Sequence, residues 1–281
     1  MKKRIIFILT SLGGALLLFN AFGHLIAQQK ISLNNSSLSD EFDNSTSLGD
    51  WQEGPSLAYD LLDVNDTVPG FMSIVPRSEV HNGWFGMYTA PYRYKLVSGN
   101  FVAETYVIAG NRHAVDPASM PASGEFNSVG FVARDPASDM SGLQNYVMLN
   151  IGYQATDLSS EVKTTVNSSS ILTLTTTFNS YQGRLLLCRV ADTFYSYRWM
   201  DNEVGWRQVE TAVMPMLPQQ LQVGIVANAW DEAPNGSDLF ALVDYVRFSQ
   251  HPPNEEDDCL NLVPIPPELI FETYLPIAIA D

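Results

Sequence analysis

The feature that most constrains this chain is its punctuation. Short runs of apolar, β-branched and aromatic residues alternate with clusters of Gly, Pro, Asn, Asp and Ser, and helical periodicity is almost absent. The runs at 71–75, 84–89, 100–108, 128–134, 146–153, 170–178, 184–191, 193–200, 208–211, 220–228 and 239–248 read as about eleven strands. Ala191-Asp192 and Asp201-Asn202 read as tight turns between them. That many strands without a helix predict an all-β fold, an antiparallel β-sandwich or barrel.

Several runs alternate at period two. Leu221, Val223, Ile225 and Ala227 share one face. Val147, Leu149 and Ile151 share another, opposite Tyr146, Asn150 and Gly152. Glu104 and Tyr106 fall opposite Ala103 and Thr105. In a sandwich the apolar face enters the core and the second face meets water or a ligand. In the last run, Phe240, Leu242, Val246 and Phe248 fall on one face, with Asp244 among them. A carboxylate there has to be paired, capped or bound to a metal.

The chain has 281 residues, 46% hydrophobic and 11% aromatic, enough for one sizeable core. A net charge of −16 opposes nucleic acid and anionic membranes as partners. Met1-Lys-Lys-Arg4 followed by an apolar stretch to about Phe22 reads as a secretory signal peptide over 1–27, with an uncleaved anchor as the alternative. Residues 28–37 read as a linker, 38–250 as the sandwich and 251–281 as an acidic, Pro-rich tail with a short apolar end. Beyond the N-terminus no stretch is long enough to insert the mature chain in a membrane, so the expected location is extracellular, periplasmic or at the cell surface. For the two cysteines, a buried free thiol at Cys188 in its strand and a separate Cys259 in the tail are the expectation, although export permits a disulfide.

Familiar catalytic signatures are missing. There is no Gly-x-Ser-x-Gly elbow, no Cys-x-x-Cys and no phosphate-binding glycine loop. His24, His81, His113 and His251 form no triad or metal spacing. His113 and Asp116, in the long loop at 110–127, read as solvated residues. That loop and the one at 135–145 are long enough to be functional.

Leu38-Ser-Asp-Glu-Phe-Asp43 with Trp51, and Leu242-Val-Asp-Tyr-Val-Arg-Phe248, resemble the opening and closing strands of concanavalin A-like lectin and glucanase domains of the laminarinase and lichenase type. Asn100-Phe-Val-Ala-Glu104, Val129-Gly-Phe-Val-Ala-Arg134, Asn145-Tyr-Val-Met148 and the segment 188–197 with Gly205-Trp206 resemble the noncatalytic domain appended to family 43 β-xylosidases. The resemblance implies a concanavalin A-like jelly roll over residues 38 to 249. It also implies a structural calcium held by Asp244 with backbone carbonyls near Asp40. The glucanases carry a Glu-x-Asp-x-x-Glu strand that retaining hydrolysis needs. This chain has no such run: Glu104-Thr-Tyr-Val-Ile-Ala109 offers a single carboxylate.

A polysaccharide or other glycan is therefore the expected partner, bound on the polar face of the sandwich. Tyr106, Arg134, Tyr146, Asn150, Gln222 and Asn228 all fall opposite apolar neighbours, and Trp84 and Trp230 are placed to stack on a sugar ring. The expected function is a noncatalytic, lectin-like module, with no catalytic residue assigned. A glycoside hydrolase or lyase with a non-standard site, and an adhesion module that binds protein, are the alternatives.

Overall fold

The computed structural model describes residues 38–77, 89–138, 142–154, 156–230, 237–249 and 251–263. The expected signal peptide, linker and apolar end lie outside the described residues, as does Trp84. The strands are β1 (Gln52–Glu53), β2 (Tyr59–Val64), β3 (Met72–Pro76), β4 (Tyr92–Ser98), β5 (Phe101–Asn111), β6 (Phe126–Arg134) and β7 (Tyr146–Gln154). They continue as β8 (Asp157–Val166), β9 (Ser169–Thr176), β10 (Gln182–Val190), β11 (Thr193–Met200), β12 (Arg207–Val213), β13 (Gln220–Trp230) and β14 (Leu239–Phe248). A short helix, α1 (Glu256–Asn261), follows them among the described residues. No helix among the described residues is long and apolar enough to cross a membrane.

Two seven-stranded sheets form the sandwich. The β13 sheet runs β1-β4-β13-β6-β7-β8-β9, and the β14 sheet runs β12-β11-β10-β5-β14-β3-β2, with antiparallel neighbours throughout. The β13 sheet contributes alternate residues to the core, among them Val129, Phe131, Val147, Leu149, Leu221 and Ile225. The β14 sheet answers with Met72, Ile74, Phe101, Val107, Leu185, Leu187 and Phe194. Each large side chain sealed in this layer is worth roughly 1.5–3 kcal/mol.

Four strands escaped the sequence pattern. β1 is two residues long and exposed. β2 is mostly half-buried, and β4 and β8 carry Arg, Lys, Glu, Ser and Thr where an apolar face was sought. Glu161 and Lys163 of β8 are nevertheless buried, and form an ion pair with Nζ–Oε1 at 2.8 Å. β8 and β9 join through Asn167-Ser168, both at positive φ (49° and 65°), which is the turn geometry that matches the twist of a two-residue hairpin.

Two arginines pin the layers from inside. Arg198 on β11 reaches across to Ser160 Oγ (2.7 Å) and to the carbonyls of Thr175 (2.8 Å) and Thr176 (2.9 Å), and pairs with Glu203 at 2.9 Å. Arg189 donates to the carbonyls of Ala191 and Pro218 (2.8 and 2.7 Å). Buried guanidinium groups survive because most of their donors are met by fixed acceptors, as the three nitrogens of Arg189 and the two Nη groups of Arg198 are.

The closing strand departs from its expected pattern. A β-bulge between Val243 and Tyr245 shifts the register, and the extra residue reverses the alternation. Leu239, Ala241 and Val243, then Val246 and Phe248, face the core. Phe240 and Leu242 face outward with Val75 and Ile108. Asp244 sits half-buried at the bulge, off the apolar face assigned from period two.

The cysteines also correct the sequence reading. Cys188 and Cys259 form a disulfide with a Cα–Cα distance of 5.7 Å. The start of the expected tail does not leave the sandwich. α1 brings Cys259 onto the outer face of the β14 sheet, among Val102, Leu186 and Tyr197. The bond spans 71 residues, a separation that chain-entropy arguments value at about 4 kcal/mol. Replacing both cysteines with serine should lower the unfolding free energy by about 2–4 kcal/mol in denaturant melts, and a reductant should do the same to the native chain only.

Candidate functional site

The outward face of the β13 sheet holds five of the residues chosen from the sequence. Cross-strand register sets Gln222 beside Arg134 and Arg134 beside Tyr146. It aligns Val226, Gly130 and Asn150 in one row, and Asn228, Ser128 and Gly152 in the next. Arg134 Nη1 donates to Gln222 Oε1 (2.9 Å) and its Nε to Gln144 Oε1 (3.0 Å). Gln154 Nε2 donates to Asn150 Oδ1 at 3.1 Å, and Asn228 Nδ2 to Ser128 Oγ at 3.3 Å.

An apolar floor lies among these polar groups, made of Tyr92, Val132, Tyr146, Met148 and Val226 with Tyr94 packed beside them. The Tyr92 hydroxyl is anchored on the carbonyls of Val132 (3.1 Å) and Gln222 (2.8 Å), and its ring stacks on Tyr94 with centroids 5.3 Å apart. Two glycines keep the middle of the face free of side chains. A Cβ on Gly130 would stand 2.1 Å from the Leu149 carbonyl oxygen, and one on Gly224 1.9 Å from that of Arg93. No residue but glycine fits so close a backbone approach.

Three buried polar atoms on this face have no hydrogen-bond partner among the described residues: Asn150 Nδ2, Gln154 Oε1 and Asn228 Oδ1. Their residues are 0%, 2% and 5% exposed. Buried amides left half-satisfied are uncommon in native proteins, so each asks for an explanation in water or ligand. Burial pushes the Tyr146 phenol well above the usual tyrosine range, keeping it a neutral hydroxyl at any physiological pH. Trp230 closes the end of β13, packed on Phe126 with ring centroids 5.4 Å apart.

Tyr106 does not join this group. It lies on β5 in the opposite sheet, where its hydroxyl donates to Asp201 Oδ2 at 2.9 Å, and Gln182 holds the same oxygen at 2.7 Å. Beside it, Glu104 is fully buried and accepts from Arg184 Nε and, at 2.9 Å, from the Tyr245 hydroxyl. Burial raises the Glu104 pKa even against the pull of Arg184 and Tyr245. The sequence had identified neither Gln154, Ser128 nor Gln144. Strand parity would have found Ser128 within its run and, extended by one position, Gln154, but Gln144 comes from a loop.

Near the chain ends, Asp40 and Val246 exchange backbone N–H···O bonds of 2.8 Å each. The Asp40 carboxylate accepts from Phe42 N–H (2.9 Å) and from the Trp51 indole (2.8 Å). Lys95 lies over the Trp51 ring at 4.7 Å, its pKa lowered by burial while Asp40 and Asp50 oppose the shift. Arg247 grips Glu41 with two bonds of 2.8 and 2.6 Å. A calcium therefore fits poorly at Asp40, whose two oxygens both face N–H donors. Asp244 sits half-buried at the β-bulge. Among the described residues no three His, Cys, Asp or Glu side chains gather into a metal site.

No family model and no curated protein matches this chain. Solved structures do. The GH43 protein BlXynB from Bacillus licheniformis superposes with a TM-score of 0.55 at 14% identity, over 77% of this chain and 40% of its own. GH43B from a Bacteroides ovatus xyloglucan locus gives 0.54 at 14%, over 76% and 39%. Xylan β-1,4-xylosidase from Bacillus halodurans gives 0.52 at 12%, over 77% and 40%. The likeness is one of fold, the concanavalin A-like sandwich. The chain spans about two-fifths of the length of these structures.

Glu104→Gln tests the reading of the β14 sheet's outer face. It replaces the unpartnered Oε2 by an amide NH2 and removes the charge paired with Arg184, so stability should fall by about 1–3 kcal/mol in denaturant unfolding.

Proposed function

We propose that this chain is an exported, noncatalytic carbohydrate-binding sandwich that takes a glycan on the outer face of the β13 sheet. The observation that carries the reading is the convergence of Arg134, Tyr146, Asn150, Gln222 and Asn228 on one face around an apolar floor. A sugar presents the same mixture, hydroxyls at its edge and an apolar C–H face, so amides beside aromatic rings complement it. Trp230 is the aromatic at the end of that face. The fold shared with parts of GH43 proteins supports the substrate class, and the disulfide supports export to an oxidising compartment.

Carboxylate placement favours binding over hydrolysis. On β4, β13, β6, β7, β8 and β9 the outward carboxylates are Glu161, paired with Lys163, and Asp157. Four residues along one strand separate them by roughly 13 Å, whereas a retaining pair stands ~5 Å apart. A structural calcium belongs to this reading only at Asp244, with backbone carbonyls completing its shell.

Screening the full chain on a glycan array, followed by titration calorimetry, tests the proposal. Asn228→Ala and Asn150→Ala should each weaken the best glycan by about tenfold, the equivalent of one lost hydrogen bond, in chains that circular dichroism shows to be folded at the assay temperature. Absence of glycan binding at millimolar concentration, or release of reducing ends from β-glucan or xylan, would overturn it. For the calcium, a chelator should lower the melting temperature of the native chain and leave Asp244→Ala unmoved. Equal melts with and without chelator remove the ion from the account.

A further inference from the structure

The three amide atoms left without partners on the outer face of the β13 sheet differ in kind. Among the described residues, Asn150 Nδ2 is an unmet donor, whereas Asn228 Oδ1 and Gln154 Oε1 are unmet acceptors. Short contacts fix which end of each amide is left over. Asn150 gives its oxygen to Gln154 Nε2 at 3.1 Å, with Gly152 between them on the same parity of β7. Asn228 gives its nitrogen to Ser128 Oγ (3.3 Å) and Met148 Sδ (3.6 Å). That last contact crosses β6, where Gly130 offers no side chain to block it. The unmet acceptor of Asn228 and the unmet donor of Asn150 thus belong to the two strands that flank β6. The surface beside them is apolar, since Val132, Met148 and Val226 are fully buried in the cluster that floors this face.

We propose that the glycan taken by this face carries an acetamido group, so that its ligand class is an N-acetylhexosamine. The inference rests on the β13 face being the glycan site. A hydroxyl both donates and accepts, so a ligand of plain hydroxyls needs no separation of donors from acceptors. A secondary amide has that separation built in, because its planar trans geometry turns N–H and C=O to opposite sides. Asn228 Oδ1 accepts from the acetamido N–H, and Asn150 Nδ2 donates to the acetamido carbonyl. The acetyl methyl lies on the apolar floor, the one part of the face where a hydroxyl would go unsatisfied. Gln154 Oε1 then accepts from the hydroxyl next to the acetamido carbon, since its own nitrogen is spent on Asn150. Charge agrees with a neutral group. Arg134 is engaged by Gln144 and Gln222, and Glu161 by Lys163, and all four ends of these contacts on the face are buried.

Titration calorimetry of the full chain with β-1,4-linked trimers of N-acetylglucosamine and of glucose tests this. The acetylated trimer should bind at least about tenfold more tightly, the equivalent of one hydrogen bond. Asn150→Asp keeps the oxygen that Gln154 holds and puts an acceptor where the donor stood. In a chain that circular dichroism shows to be folded, it should abolish the preference, because a hydroxyl can donate to the new oxygen and an acetamido carbonyl cannot. Saturation-transfer NMR on the wild-type chain gives a second readout that needs no variant. The acetyl methyl should be the most strongly saturated group of the bound trimer, and a methyl no more saturated than the ring protons overturns the inference. Equal affinity for the two trimers also overturns it, as does a preference that survives Asn150→Asp. A glycan array whose hits lack acetamido groups does the same, and Asn228→Ala weakening those hits would leave the glycan face standing. If no glycan of either kind binds at millimolar concentration, both readings fall.

Discussion

The whole structure depends on two sheets hiding one face each against the other. Once Phe131, Leu149 and Ile225 on one side and Ile74, Leu187 and Phe194 on the other are withdrawn from water, every strand has a fixed inner parity. The residues at the alternate positions are then displayed outward as two surfaces of different character. On the β14 sheet the outer surface is closed by α1, the disulfide and the Glu104–Arg184–Tyr245 network. On the β13 sheet it carries amides, a guanidinium and tyrosines, several with unfilled hydrogen-bonding capacity. The division of labour between structure and ligand follows from which sheet a strand joins.

The ends of the chain complete the sandwich through polar contacts. β14 lies between β5 and β3, in the interior of its sheet, so the fold cannot close until one of the last strands is in place. Its bulge turns Tyr245 and Arg247 outward, where they reach Glu104 and Glu41, and Asp40 pairs with Val246 just beyond. Asp40, read from the sequence as a neighbour of calcium, is a capping carboxylate that ties Phe42 and Trp51 to the closing strand. The buried arginines do similar work between the layers, which explains how a core dominated by aliphatic groups tolerates Arg189 and Arg198.

Much of the candidate site was legible before the structure. Parity in β6, β7 and β13 assigned Arg134, Tyr146, Asn150, Gln222 and Asn228 to outward faces, and all five share one surface. The same reasoning failed for Tyr106 because parity states which face of a strand a residue occupies, not which sheet the strand joins. It failed for Phe240 and Leu242 because a bulge inserts one residue and inverts everything before it relative to everything after. β4 and β8 were missed because their charges are satisfied by partners the pattern does not register, Glu161 by Lys163 two residues along β8, Arg93 by Glu53 on β1 and Lys95 over the Trp51 ring, and the pattern registers only hydrophobicity.

By itself the sequence determined the fold class and the inner face of most strands, since these rest on local alternation and turn chemistry. Only the tertiary structure decided the rest: the pairing of Cys188 with Cys259, the parity of β14 around Asp244 and the separation of Tyr106 from the other candidates. Each of these depends on contacts between segments far apart in the chain, or on strand order, and a period-two pattern contains no information about either.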